Sequence, residues 1–393
     1  MRKKKIGILT GGGDVPPLNA VISAAQEYSA HNRTELIGFI RGWEGVLDRR
    51  FVSLSKMKVN PILGGTILKS SRINLAKVPG ASETVLANFQ DLHLDGLIVV
   101  GGEDTLSNCF MVGTFPQVLI SKTIDNDVGT MPDVFGAIES RNIVNYFTLG
   151  YPTAAERISR FVSMQYGLRS TAYSHERIIV VESMGMHAGW LALASSMGNP
   201  DFIIIPEFPI EYEGVKSAVA QRFMKKKHVI VVIAEGARWN DGTHISADMS
   251  EKDDFGHPRF VGSAAILAGK LKRDLKSLFD TRNVNSVNPS YLYRSGAPGG
   301  LDLLLAKKIG TKAIQLLSQG LKESVFLSIQ RSHRSFRLET RPLSAIQSIE
   351  QYHRYVGRSF YSLDRLSATE EAKKYLSHIV KEIPPLQYGF DGF

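Results

Sequence analysis

Cysteine is almost missing from this chain: Cys109 is the single one in 393 residues. One cysteine excludes an internal disulfide and a Cys-rich zinc cluster, which fits a reducing compartment and makes the cytoplasm the expected location. Long apolar runs are also missing. No stretch approaches the roughly 18 residues of a membrane span, so no membrane partner is expected. Behind the basic start Arg2-Lys3-Lys4-Lys5, only Ile6 to Thr10 is apolar before a glycine turn, too short for the core of a signal peptide. The formal charge is +9, yet it gathers into no stripe, and without a stripe no nucleic-acid partner is expected. The densest runs, Arg2 to Lys5 and Lys225 to Lys227, read as solvated ends of helices or strands, with attraction of phosphate ligands as the alternative. Internal repeats and low-complexity linkers are absent. Neither Gly-x-Gly-x-x-Gly nor a glycine loop ending Gly-Lys-Ser/Thr occurs where a phosphate loop would sit, which weakens the dinucleotide and P-loop readings.

The sequence does contain enough chain and enough apolar residues for a globular protein. With 43% hydrophobic and 22% charged residues, it can bury a sizeable core, and its length exceeds the usual single core, so two domains are expected. Apolar strand-like segments at Lys5 to Thr10, Glu35 to Ile40, Gly96 to Val100, Gln117 to Ile120, Arg177 to Glu182, Phe202 to Pro206, Val229 to Ala234 and Val325 to Ile329 alternate with helical candidates. The latter include Leu18 to His31, Ala188 to Met197, Gly214 to Lys226, Gly262 to Leu275 and Asp302 to Leu317. That rhythm predicts an α/β protein with mainly parallel sheets. The β-branched runs at Ile178 to Val181 and Ile230 to Ile233 read as central strands covered on both faces. The first boundary falls near residues 130 to 150, and residues 332 to 393 read as largely helical.

In such sheets ligands gather beyond the carboxyl ends of strands, and four of these ends carry glycine or acidic clusters. Gly11-Gly12-Gly13 follows the first strand and precedes a helix: either an anion site, where backbone N–H groups approach phosphate unobstructed, or a tight structural turn. Gly101-Gly102-Glu103-Asp104-Thr105 places two carboxylates after two glycines. They could hold a Mg²⁺ that also bridges phosphates, or simply cap a helix. Lys122-Thr123-Ile124-Asp125-Asn126-Asp127 offers a base, a second carboxylate on the metal side and a lysine for phosphate; an Asx-rich turn is the competing reading. Glu182 to Met186 is the fourth end.

Taken together and in order, Thr10 to Asp14 with Asn19, Ser70-Ser71-Arg72, Gly101 to Thr105, Lys122 to Asp127, Ser174 to Arg177, Met184-Gly185 with Ala188-Gly189-Trp190, Ala234-Glu235-Gly236 and Pro289-Ser290-Tyr291 with Arg294 are similar to the phosphofructokinase superfamily. The likeness spans about residues 5 to 310. It implies two Rossmann-like three-layer domains with the active site in the cleft between them: a donor and Mg²⁺ domain at 1–140, a sugar-phosphate domain at 141–330, and a mostly helical extension at 331–393. By resemblance, Asp125 matches the general base, Asp127 its metal-side partner, Thr123 a contact to the moving phosphoryl group, and Glu103 with Asp127 the metal site. Gly11, Gly12, Gly13, Arg72, Gly102, Asp104, Thr105 and Lys122 match the donor side. On the acceptor side, Thr123, Asp125, Met184, Gly185 and Met186 match the sugar site, Glu235 the acid that binds sugar hydroxyls, and Tyr291 and Arg294 the grip on the sugar's phosphate. Arg177 matches an arginine that enters a neighbouring subunit's site, which implies a homodimer or homotetramer. ATP-using members usually carry glycine at the positions of Asp104 and Lys122. The acid and the lysine together therefore resemble the pyrophosphate-dependent branch, with pyrophosphate and fructose 6-phosphate as substrates; the alternatives are a pyrophosphate- or ATP-dependent kinase for a different sugar phosphate or polyol, or a low-activity regulatory subunit.

Three positions depart from the family pattern. Met186 stands where an arginine normally meets developing phosphoryl charge, and one such donor is worth about 3 to 4 kcal/mol in the transition state. Arg72, Lys122 or His187 are the candidate substitutes. The path from Asp127 to Gly150-Tyr151-Pro152-Thr153-Ala154 is longer than in the family, with Pro152 replacing an aspartate. Asn285 replaces a cation for the sugar phosphate, for which Arg282 is the candidate substitute.

Overall fold

The computed structural model describes residues 2–129, 145–252, 258–260, 262–333, 335–346, 348–349 and 353–385. The enlarged segment expected after Asp127 lies largely outside them. The chain divides into two compact units, one made of residues 1–153 and 294–354, the other of 154–293 and 355–393.

The first stretch runs β1 (Lys4–Thr10), α1 (Leu18–His31), β2 (Thr34–Phe39), α2 (Gly42–Leu47), β3 (Phe51–Ser53), α3 (Ala81–Asp91), β4 (Gly96–Gly101), α4 (Glu103–Ser107), β5 (Gln117–Thr123) and β6 (Leu149–Gly150). β1 pairs in parallel with β2 and β4, and β4 with β5. All six residues of β4 are buried, as its unbroken Leu-Ile-Val-Val run requires. Alternation along the strands supplies both covered faces. Leu9, Ile37, Phe39, Leu97, Val99 and Leu119 share a core with Trp43 and Val46 of α2 and Val85 and Phe89 of α3. The other residues of each strand turn to the opposite face.

The middle stretch runs α5 (Tyr151–Val162), α6 (Leu168–Ser174), β7 (Ile178–Ser183), α7 (Trp190–Ala194), β8 (Phe202–Ile204), α8 (Tyr212–Lys226), β9 (Val229–Ala234), β10 (Ala247–Lys252), β11 (Pro258–Phe260), α9 (Ser263–Asp274) and β12 (Val284–Val287). Its main sheet has the order β12-β7-β9-β8 and is parallel throughout. The β-branched runs of β7 and β9 are its two inner strands, fully buried. The basic run at 225–227 is the exposed end of α8, where lysines suit the negative pole of the helix.

The chain then returns. α10 (Gly300–Ser318) packs on α1 and over β1, β4 and β5. β13 (Val325–Ser332) joins the free side of β5 in parallel, and β14 (Ser335–Pro342) adds an antiparallel edge. The first sheet thus reads β14-β13-β5-β4-β1-β2-β3, with β6 beside the end of β5. The tail adds β15 (Tyr361–Ser362), β16 (Ser367–Ala368) and α11 (Glu370–Leu376) to the second unit.

Two expectations are corrected here. The boundaries 1–140, 141–330 and 331–393 assumed one continuous stretch per domain; residues 294–330 instead complete the first unit, because the apolar face of α10 and the strand β13 find their partners on α1 and β5. Nor are the described residues of 331–393 mostly helical. β14 has no fully buried residue, as befits an edge strand, and its polar and charged residues conceal the strand period. From residue 355 the chain belongs to the second unit, where Tyr361 donates to Ile203 O at 2.6 Å and Phe360 and Tyr375 pack edge-on against Trp190.

Candidate functional site

In the first unit β1 ends at Thr10 and passes through Gly11–Gly13. Gly11 N donates to Val100 O and Gly12 N to Ser71 O, both at 3.0 Å, while Ser70 Oγ donates to Gly12 O. The turn is thereby fastened to β4 and to the Ser70–Arg72 segment. Thr105 is buried directly under Gly11. Gly12 has φ +76°, and the Lys122 ammonium lies 3.2 Å from where a side chain there would begin. The positive φ favours glycine, and the ammonium leaves little room for a side chain.

Lys122, at the end of β5, is only 2% exposed and donates to Gly13 O. Burial, and after it the positive charge of Arg294, lower its pKa to about 7, against the pull of Asp14 and Asp125; Arg72 lowers it further. Lys122, Arg294 and Arg72 together outnumber the two carboxylates beside them, a balance that a phosphate would suit. Arg294 reaches Asp14 at 3.3 Å. Expected beside Tyr291, it belongs to the first unit and lies against the glycine turn, whereas Tyr291 belongs to the second. Asp104 is exposed on the first turn of α4.

The acidic run continues from Lys122. Asp125 N donates to Thr123 Oγ1 at 3.0 Å, and Thr148 Oγ1 to Thr123 O at 2.7 Å, so the turn leaving β5 is fixed at its first residues. Asn126, fully buried, takes a left-handed conformation with φ +57°. Burial raises the Asp127 carboxyl above its usual range, with His353 opposing. Glu103 Oε2 lies 3.1 Å from His353 Nδ1, a contact that raises the imidazole's pKa. Sequence reasoning missed His353 and its neighbour Arg354, which donates to Asn126 O at 2.8 Å. They lie beyond the recognised motifs, in a segment read as helix, and nothing local marks them.

Among the described residues no three or more His, Cys, Asp or Glu side chains form a ready cation cage. Mg²⁺ is commonly held by one or two carboxylates together with substrate phosphates. Glu103 and Asp127 are the pair that could do this.

In the second unit, β7 and β9 end side by side, with Ser183 opposite Ala234. The two turns beyond them are bolted together: Gly185 N donates to Glu235 Oε1 at 3.1 Å, Glu235 N to Ser183 O at 2.9 Å and Gly236 N to Gly185 O at 3.3 Å. A side chain on Gly236 would begin 1.9 Å from Met186 O, so only glycine permits this approach. Met184, Gly185, Met186 and Glu235 are therefore brought together. Arg177 precedes β7 and donates to Thr171 Oγ1 at 2.8 Å. Tyr291 is 62% exposed. Asn285 is exposed on β12, and Arg282 is spent on Asp280 at 2.7 Å. His187 is exposed beyond Met186.

A glycine turn closed by a buried lysine, beside an acidic strand end, defines a class: α/β proteins able to hold phosphate at the carboxyl edge of a parallel sheet. The profile of the family described as Phosphofructokinase matches residues 5–317. The pyrophosphate–fructose 6-phosphate 1-phosphotransferase of Dictyoglomus thermophilum is 36% identical over 336 residues, covering 84% of this chain and 90% of that protein. ATP-dependent 6-phosphofructokinase 3 of Streptomyces coelicolor is 35% identical, covering 80% and 88%. The crystal structure titled pyrophosphate-dependent phosphofructokinase from Marinobacter aquaeolei shares the fold, with a TM-score of 0.78 at 18% identity, over 98% of this chain and 94% of that one. The chain belongs to the phosphofructokinase family. Among its described residues, no helix is long and apolar enough to cross a membrane.

Proposed function

We propose that this chain transfers a phosphoryl group from pyrophosphate to the 1-hydroxyl of fructose 6-phosphate, giving fructose 1,6-bisphosphate and inorganic phosphate. The observation that carries this reading is Lys122, buried against the glycine turn. It offers charge to a short donor at the place where ATP-using relatives usually have glycine, while Asp104 crowds the room a nucleoside would need. Pyrophosphate hydrolysis and sugar-phosphate formation are similar in free energy, so the reaction runs in both directions.

Asp125 takes the proton from the attacking hydroxyl, with Thr123 touching the moving group. Gly11, Gly12, Gly13, Gly102, Thr105, Arg72 and Lys122 hold the donor. Mg²⁺, when bound by Glu103 and Asp127, neutralises charge on the phosphates. In the second unit, Met184, Gly185, Met186 and Glu235 take the sugar, and Tyr291 its phosphate. Arg294 joins this set by resemblance; its contact with Asp14 supports a role near the donor as well. Arg177 enters the site of a second copy, which makes the working form a homodimer or homotetramer, and the single cysteine fits work in the cytoplasm.

Product formation with Mg²⁺, fructose 6-phosphate and either pyrophosphate or ATP tests the donor. Full activity with ATP and none with pyrophosphate overturns it. ATP is the second reading, favoured by the 35% identity to the S. coelicolor relative named as ATP-dependent. A panel of other phosphorylated and free polyols tests the acceptor, which the loss of cations at Met186 and Asn285 makes worth checking.

A further inference from the structure

The segment that follows β14, still within the first unit, delivers one buried arginine to the back of the acidic run. Arg354 is 5% exposed. Its Nε donates to Asn126 O at 2.8 Å and its Nη2 to Asn126 Oδ1; its Nη1 donates to Asn145 O at 2.7 Å and Tyr146 O at 3.3 Å. Its own backbone N–H donates to Asp127 O at 2.7 Å, and Val128 and His353 form an isolated antiparallel bridge. The fork therefore grips two limbs, the turn at 126–128 and the strand of chain returning at 145–146. The second limb is held on its other side: Asn145 Oδ1 accepts from Ile329 N at 3.0 Å, and Tyr146 N donates to Ile329 O at 2.7 Å.

We infer that Arg354 is a positioning residue for phosphoryl transfer, which holds Asn126 in its left-handed turn and so fixes the directions of Asp125 and Asp127. The inference rests on the reading of Asp125 as the base. Its physical basis is the conformation of the turn: φ +57° is disfavoured for a residue with a side chain, least so for Asn, and needs support to persist. Asn126 offsets this by placing its side-chain oxygen between Thr148 N, at 3.1 Å, and the guanidinium. Asp125 and Asp127 flank Asn126 in sequence, so a backbone rotation at 126 re-aims both. Lysine cannot replace the fork, because one ammonium cannot span both limbs with the same geometry.

The test uses the full chain with Mg²⁺, pyrophosphate and fructose 6-phosphate, and compares R354A, R354K, N126G and D125N. Glycine at 126 keeps the positive φ and removes the anchor. R354A is expected to lose roughly 100-fold in kcat, the scale of an ångström's misplacement, with both KM values changed little. Added guanidinium ion restores part of the R354A rate and none of the D125N rate. The double variant R354A/N126G is no slower than the slower single one, since both remove the same support. If R354A does not fold, R354K with N126G carries the comparison. An unchanged kcat in folded R354A or R354K beside an inactive D125N overturns the inference and leaves the base in place. Losses that multiply in the double variant, or that only follow the folded fraction without rescue, also overturn it. Full activity in D125N removes the base and this inference with it.

Discussion

The ammonium of Lys122 donates to the carbonyl oxygen of Gly13, joining the end of β5 to the turn after β1. With its pKa lowered to about 7 by burial and by Arg294, Lys122 is partly neutral while the site holds no anion. A bound phosphate raises the pKa again, so between about pH 7 and 9 binding draws a proton onto the lysine. Calorimetry of pyrophosphate binding at pH 8, in buffers of differing ionisation enthalpy, is expected to show more proton uptake in wild type than in K122M, by up to about one proton. Equal uptake in the two would place the lysine outside the donor site.

Asp125→Asn keeps the size of the side chain and removes its basicity. The expected loss in kcat is roughly 10²- to 10⁴-fold, with KM for fructose 6-phosphate little changed. Steady-state rates in both directions provide the check.

Glu235 binds the Gly185 amide and is proposed to bind sugar hydroxyls as well. Glu235→Gln weakens charge-assisted hydrogen bonds, which are worth about 1.5 to 3 kcal/mol each. KM for the sugar phosphate is expected to rise roughly 10- to 100-fold while KM for the donor stays put. A donor-side effect would assign Glu235 elsewhere.

His353 has its pKa raised first by its hydrogen bond to Glu103, then by the field of Asp127. The folded value therefore lies above the free imidazole value of about 6.5. The stabilisation is complete below that value and is lost as pH rises through the raised pKa. Denaturant unfolding of wild type and H353Q without Mg²⁺ is expected to differ most below about pH 6.5 and to converge at alkaline pH.

Asp302, fully buried on α10, accepts from Gly150 N at 2.8 Å, Thr153 N at 2.9 Å and Thr153 Oγ1. Asp302→Ala leaves these donors without that carboxylate in a dry place. A loss of about 3 kcal/mol in stability is expected, read as a lowered thermal midpoint.

Where one period governs a segment, the sequence told the structure well. The strand expected at Val229 to Ala234 forms over those residues, as does the helix at Leu18 to His31. β-branched runs and a helical stripe are local signals, and tertiary contacts agree with them here. β14 and β12 were illegible because edge strands tolerate exposed polar residues that break the apolar pattern: Asn285 and Ser286 are both exposed. Gly12 and Asp125 drew notice because they follow strands, and Lys122 because it stands at the end of one, where an α/β sheet puts its ligands. Arg354 and the contact of Arg294 with Asp14 were not, since both depend on chain that returns from far along the sequence to a turn laid down early.

That return fixes an order of manufacture. The parallel strands β1, β2, β4 and β5 of the first unit leave the ribosome by residue 123, yet β13, which covers the free side of β5, is not made until Val325–Ser332, after all of 154–293 has appeared. During synthesis β5 is a bare, apolar sheet margin, the kind of surface that invites wrong pairing. Arg354 arrives later still, so the turn bearing Asp125 and Asp127 receives its fork only near the end of translation.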